Sequence, residues 1–117
     1  MKPNGYTVQK HFDNRAPGVK SSYVAILNGS KKFGPVREDP KKTSIHLVRK
    51  TAFAGIATRM DFLILTIKSD SDVHSERIFR REQASANRWH LEVRVEGPQQ
   101  VDRELLRWLK KAYELSA

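Results

Sequence analysis

The chain has no cysteine. That removes a disulfide framework, thiolate-ligated zinc and any cysteine nucleophile, and it agrees with a reducing compartment. Long apolar runs are missing as well. The longest, Phe62-Leu63-Ile64-Leu65-Thr66-Ile67, is far short of the roughly 20 residues that a helix needs to cross a bilayer. The first residues, Met1-Lys2-Pro3-Asn4-Gly5-Tyr6, hold no apolar stretch of the kind a secretory signal carries. A cytoplasmic protein with no membrane partner is the expectation. The six glycines are scattered, so no glycine-rich phosphate loop can be drawn. No internal repeat or low-complexity segment is present.

Acidic residues are scarce in one part of the chain. Residues 1–50 hold eleven Lys/Arg against three Asp/Glu, whereas residues 51–117 hold eleven against ten. Nearly all of the net charge of +9 therefore sits in the first part. It is densest over 31–50, with Lys31, Lys32, Arg37, Lys41, Lys42, Arg49 and Lys50 against Glu38 and Asp39. Such a surplus favours phosphate polyanions and acidic surfaces.

What is present is a globular composition. The 117 residues are 38% hydrophobic and 30% charged. That suits one domain able to bury roughly two-thirds of its unfolded surface. Residues 1–15 read as a loose N-terminal arm with a short helix from Thr7 to Phe12. Pro17 suits a first helical turn, and Val19, Tyr23, Ile26 and Leu27 recur at helical spacing, so a helix is expected over 17–33, stopped by Gly34 and Pro35. Residues 36–42 read as a connector. Strands are expected over 44–50, 53–59, 62–68, 76–83 and 89–96, the last with Trp89, Leu91, Val93 and Val95 alternating with polar residues. The segment 102–115 carries Val101, Leu105, Trp108, Leu109, Ala112 and Tyr113 as one apolar stripe behind the N-cap candidate Asp102. The expected fold is α+β: an antiparallel meander of about five strands, with two N-terminal helices and one C-terminal helix packed on it.

Catalytic signatures are weak. His46 and His90 fall on predicted strands and could approach each other, but two histidines alone make no metal site. Asp70-Ser71-Asp72-Val73-His74-Ser75-Glu76 lacks the turn glycine of a calcium loop. Asp39-Pro40-Lys41 lacks a partner carboxylate for nuclease chemistry. Ser21-Ser22 has no glycine-flanked elbow. No catalytic residue, metal or cofactor is assigned. The remaining candidates are cations: Lys41, Lys42, Arg49, Lys50, Arg80, Arg81 and Arg88, with Phe53 and Trp89 as aromatic contacts or core. Arginine forks beside aromatic faces can hold phosphates and stack bases.

Several short segments resemble a known family. Phe33-Gly34-Pro35-Val36, Pro40-Lys41-Lys42-Thr43 and Arg49-Lys50-Thr51-Ala52-Phe53-Ala54 come in order. Arg88-Trp89-His90 follows, then Val101-Asp102 and Trp108-Leu109-Lys110-Lys111-Ala112-Tyr113-Glu114. Together they resemble the domain of unknown function 5655, from about Ala16 to the C-terminus. The resemblance implies a small bacterial-type domain that stands alone or is attached to others, with Lys41, Lys42, Phe53, Trp89 and Tyr113 as recurring positions. It brings no activity or cofactor with it. The expectation is a non-enzymatic binding or accessory module for an anionic partner, nucleic acid or an acidic protein. The alternative is a small-molecule or enzymatic pocket between sheet and helices, suggested by the small residues of 52–57. A homo-oligomer is a third reading that no sequence pattern tests.

Overall fold

A computed structural model describes residues 5–117. Six strands form a single antiparallel sheet: β1 (Arg37–Pro40), β2 (Ile45–Val48), β3 (Ala52–Thr58), β4 (Leu63–Ser69), β5 (Ile78–Ser85) and β6 (Arg88–Val95). Two α-helices, α1 (Pro17–Lys31) and α2 (Arg103–Glu114), flank them in sequence. The α+β class is as expected, but three details differ.

The first is the N-terminus. Only one α-helix precedes the sheet. The expected short helix is a single 3-10 turn, Gln9–Phe12, with Thr7 Oγ1 accepting from the Lys10 amide. Of the arm expected to be loose, Met1 to Asn4 lie outside the described residues, and the rest is pinned. Phe12 is buried with its ring 5.2 Å from that of Tyr23, and the Thr58 hydroxyl donates to the His11 carbonyl.

The second is a sixth strand. The expected connector contains β1, which pairs antiparallel with β2 from Arg37–Val48 to Pro40–Ile45. Arg-Glu-Asp-Pro has no apolar alternation, because it forms an exposed edge where neither face needs burial and a proline is tolerated. Tyr23 in α1 ties this edge down by donating to Glu38 Oε1 at 2.6 Å. Burial and the Glu38 carboxylate push the Tyr23 hydroxyl well above its ordinary pKa.

The third is strand order, β1-β2-β3-β4-β6-β5, which is not a meander. Side-chain composition explains it. β6 offers Leu91, Val93 and Val95, all buried, whereas β5 buries only Ile78. The apolar strand takes the place beside β4, and the polar one becomes the edge.

Both helices cover the same face of the sheet. Leu47, Ile56, Leu65 and Val93 point to that face and join Val19, Ile26, Leu105 and Leu109 in one core. α1 ends at Lys31, two residues before the expected stop. Gly34 then turns the chain at φ +148°, where a Cβ would stand 2.5 Å from the Tyr113 hydroxyl. α2 starts as expected: Asp102 accepts from the Leu105 amide, and its carboxylate also takes Arg77 at 2.8 Å. These contacts hold Asp102 below its ordinary pKa of 3.8, the Arg77 hydrogen bond most strongly.

Candidate anion-binding surfaces

The register decides which predicted residues can act together. Lys41 and Lys42 follow β1, while Arg49 and Lys50 follow β2, so the two pairs flank opposite ends of β2. Arg80 and Arg81 lie on β5, at the far edge of the sheet from β1. Five strand spacings separate those edges, about 24 Å. The seven cations therefore do not form one patch.

Several of them are engaged within the protein. Lys41 pairs with Asp39 at 3.1 Å. Arg80 lies between Glu82 and Glu92 at 3.7 and 3.6 Å, and Arg81 is 2.6 Å from Asp72. Arg49 stacks 4.4 Å from the centre of the Tyr113 ring and donates to the Tyr113 carbonyl, near the end of α2. Phe53 and Trp89 both turn to the core side. Phe53 is buried edge-on to Tyr113 at 5.3 Å, and Trp89 packs half-buried against the cluster.

Much of the segment pattern thus converges on one ring. Phe33 packs on Tyr113, Gly34 makes room for its hydroxyl, and the Pro35 carbonyl accepts from that hydroxyl at 2.9 Å. Arg49 and Phe53 close the other sides. Phe53 can reach inward because it is the extra residue of a bulge: Leu47 pairs with Ala54 and Val48 with Ala52, leaving Phe53 unopposed. These positions build the fold.

A different set of cations does converge. β1 and β6 begin, and β2 and β4 end, at the same end of the sheet. α2 also ends there, since the Ser116 carbonyl accepts from the amides of Lys50 and Thr51. α1 runs beside α2, with Gly29 against Leu106 and Phe33 against Tyr113. Lys31, Lys32, Lys50, Lys110 and Lys111 are therefore gathered at that end, all exposed. Arg103, Arg107 and Lys111 follow one another at four-residue spacing on the exposed side of α2, opposite Leu105, Leu109 and Ala112. Among the described residues none of these cations forms an ion pair with a carboxylate, although Asp102 and Glu104 flank Arg103 in sequence, Glu114 follows Lys111 on α2 and Asp70 lines the same cleft as Arg107. Arg107, Trp108 and Lys111 also line a cleft of about 220 Å³ against residues 67–73. The sequence signal for this surface was the i, i+4 spacing within α2, which a charge balance by segment conceals.

The opposite face of the sheet carries no helix among the described residues. His46, Gly55, Ala57, Thr66, Lys68 and His90 lie there and line a depression of about 270 Å³. The small residues of β3 thus open a space on the uncovered face, not beneath the helices. His46 pairs with Gly55, Gly55 with Thr66 and Thr66 with Glu92, so three strand spacings separate β2 from β6. At roughly 4.8 Å each, the two histidines stand about 14 Å or more apart at their Cα atoms, too far to share a metal ion. No group of three metal-ligating side chains occurs among the described residues. Nor is any helix among them long and apolar enough to cross a membrane.

Lys68 is the distinctive side chain of this depression. Its ammonium donates to Thr51 Oγ1 at 3.1 Å and Ser116 Oγ at 2.8 Å. Burial, then the nearby Arg88 charge, lowers its pKa from the ordinary value. Among the described residues no carboxylate pairs with it.

No curated protein and no solved structure matches the chain. A family model does match residues 8–116, nearly the whole chain, and the protein belongs to that family, described as Domain of unknown function (DUF5655).

Proposed function

We propose that this protein is a non-enzymatic nucleic-acid-binding module that contacts phosphates through the basic end of its helical layer. One observation carries the reading. Lys31, Lys32 and Lys50, from the charge-rich first part of the chain, lie toward the same end of the sheet as Lys110 and Lys111 of α2, and Arg107 and Lys111 line an open cleft. A row of cations on a helix, spaced about 6 Å apart along its axis, presents an extended positive surface. Phosphates would supply the missing counter-charges, and Trp108 at the cleft wall offers a ring edge to a base. A membrane surface fits less well, because the exposed side of α2 lacks the apolar residues that insert between lipids.

The test is fluorescence polarisation with labelled single- and double-stranded DNA and RNA at several salt concentrations. Affinity should fall steeply with salt, by about 0.9 logarithmic units per tenfold change for each phosphate contacted. Charge reversal at Arg107 and Lys111 together should weaken binding at least tenfold and flatten that slope by about two. Binding that ignores salt, or survives the reversal unchanged, rejects this surface. An acidic protein as the partner would show as no oligonucleotide binding and an effect of the same reversal on a protein complex.

A further inference from the structure

We infer that the depression on the helix-free face is a second, separate binding site, which takes a small organic acid: an apolar body carrying one anionic group. The space opens on the other side of the sheet from the cleft beside α2, and Lys68, at the end of β4, lines both. Three features of the depression support it.

The first is its shape and lining. At about 270 Å³ it is slightly smaller than the usual range for drug-sized ligands, which begins near 300 Å³. Its floor is mainly apolar, Ala52, Gly55 and Ala57 with Thr66 across from Gly55, and His46 stands on one side, Lys68 and His90 on the other. A pocket of this kind binds through its floor and orients through its rim.

The second is the uncompensated charge. The hydroxyls of Thr51 and Ser116 satisfy two of the three Lys68 N–H groups. Neither neutralises it; burial, and then the positive field of Arg88, lowers the Lys68 pKa. A carboxylate or phosphate ester at the depression would accept the third N–H and supply the counter-charge, as charge-assisted hydrogen bonds do. The seryl and threonyl contacts fix the ammonium in place beforehand, so little side-chain freedom is lost on binding.

The third is Gly55. Its φ is not in the left-handed region, and an added Cβ would meet nothing nearer than 3.7 Å, the His46 ring. Neither backbone nor packing calls for glycine at this strand position, where it weakens the sheet. The missing side chain leaves the β3 backbone bare in the middle of the depression, open to close approach by a ligand.

The anionic group could be a carboxylate or a phosphate, which Lys68 would hold by the same chemistry, so both are probed. The experiment is an NMR titration of the isotope-labelled full chain with benzoate, phenyl phosphate and neutral benzamide at physiological salt. Saturable amide shifts over 52–57, 66–68 and 90 are expected with one or both anions. Benzamide should bind at least tenfold more weakly. Lys68→Gln keeps hydrogen-bonding capacity but loses the charge, and should weaken the anion at least tenfold. Gly55→Val fills the floor, and should abolish the shifts while the melting temperature stays equal or rises. Equal binding of benzamide, shifts confined to α2, or a folded Gly55→Val variant that binds as before would overturn the inference. So would the absence of saturable shifts with all three probes. Loss of oligonucleotide binding with these shifts intact would reject only the nucleic-acid surface.

Discussion

The two faces of this sheet come from the same strands, yet they are built for different ends. On the covered face, β3, β4 and β6 contribute Ile56, Leu63, Leu65, Ile67, Leu91, Val93 and Val95, each at most 1% exposed. On the other face, the alternate residues of the same strands are Gly55, Ala57, Ile64, Thr66, Lys68, His90, Glu92 and Arg94, and the described residues place no helix over them. Period-two alternation makes this division unavoidable once one face is buried. Evolution can therefore change the open face with little effect on stability, and the covered face hardly at all.

The open face is itself divided. Toward β5, charges are matched: Arg80 reaches Glu82 and Glu92, and Arg94 lies 4.1 Å over the Phe62 ring and 4.0 Å from Glu96. Across β2 to β6, His46, Lys68 and His90 surround bare backbone, and no carboxylate lines this depression among the described residues, although Glu82 of β5 stands opposite His90. Exposed ion pairs add little stability, but they neutralise an edge strand and discourage edge-to-edge pairing. The half without them is where a ligand would have something to do.

The largest effect is expected on the covered face. Tyr113→Ala removes a ring that touches Phe33, Phe53 and Arg49, and a hydroxyl that donates to Pro35. Truncating a buried aromatic of this kind should cost about 3–5 kcal/mol, read as a lower urea midpoint. A loss below about 1 kcal/mol would mean that the convergence on Tyr113 serves something other than the fold.

A smaller loss is expected where α2 starts. Asp102→Ala removes an N-cap and the Arg77 partner, and should cost about 1–2 kcal/mol. The site is largely exposed, so most of this belongs to the cap. The sign with pH follows from the lowered Asp102 pKa. The unfolded chain takes up the proton first, so this contribution is present above pH 3.8 and disappears as pH falls through the lower folded value. Urea midpoints measured by circular dichroism across acid pH should show a stability gap between wild type and Asp102→Ala that is full above pH 3.8 and narrows as pH falls, so the acid dependence is shallower in Asp102→Ala.

How far the sequence foretold this comparison depends on burial. β6 and α2 were legible because a clean apolar alternation and a clean apolar stripe have one physical solution each. β1 was not, since an exposed edge of Arg, Glu, Asp and Pro carries no burial signal. The position of β6 between β4 and β5 was missed for a related reason: chain order suggests a meander, and only the comparison of Leu91, Val93 and Val95 with the polar β5 favours the swap. The cations were visible as a density over 31–50, but their grouping was not. Lys41 and Lys50 are nine positions apart in sequence and at opposite ends of a strand in space, whereas Lys50 and Lys111 come from distant segments to the same end. The depression was half legible: the small residues of 52–57 announced a space, and strand parity put it on the uncovered face.

The sharpest test of the division between faces is its smallest effect, Gly55→Ala. At a covered position a buried substitution that adds a methyl group overpacks and destabilises. At Gly55 the new methyl would meet the His46 ring at 3.7 Å and Thr66 Cβ at 4.0 Å, both ordinary contacts. The backbone there is ordinary strand, so alanine adopts it without strain and the unfolded chain loses freedom. The variant should be more stable than the wild type by about 0.4–1 kcal/mol, seen as a higher melting temperature. Gly18, in the first turn of α1, where an added Cβ would stand 3.5 Å from the Glu96 carbonyl oxygen, serves as a helical control. If Gly55→Ala lowers stability instead, the open face is packed more tightly than its side chains suggest, and the space over β3 is not available to a ligand.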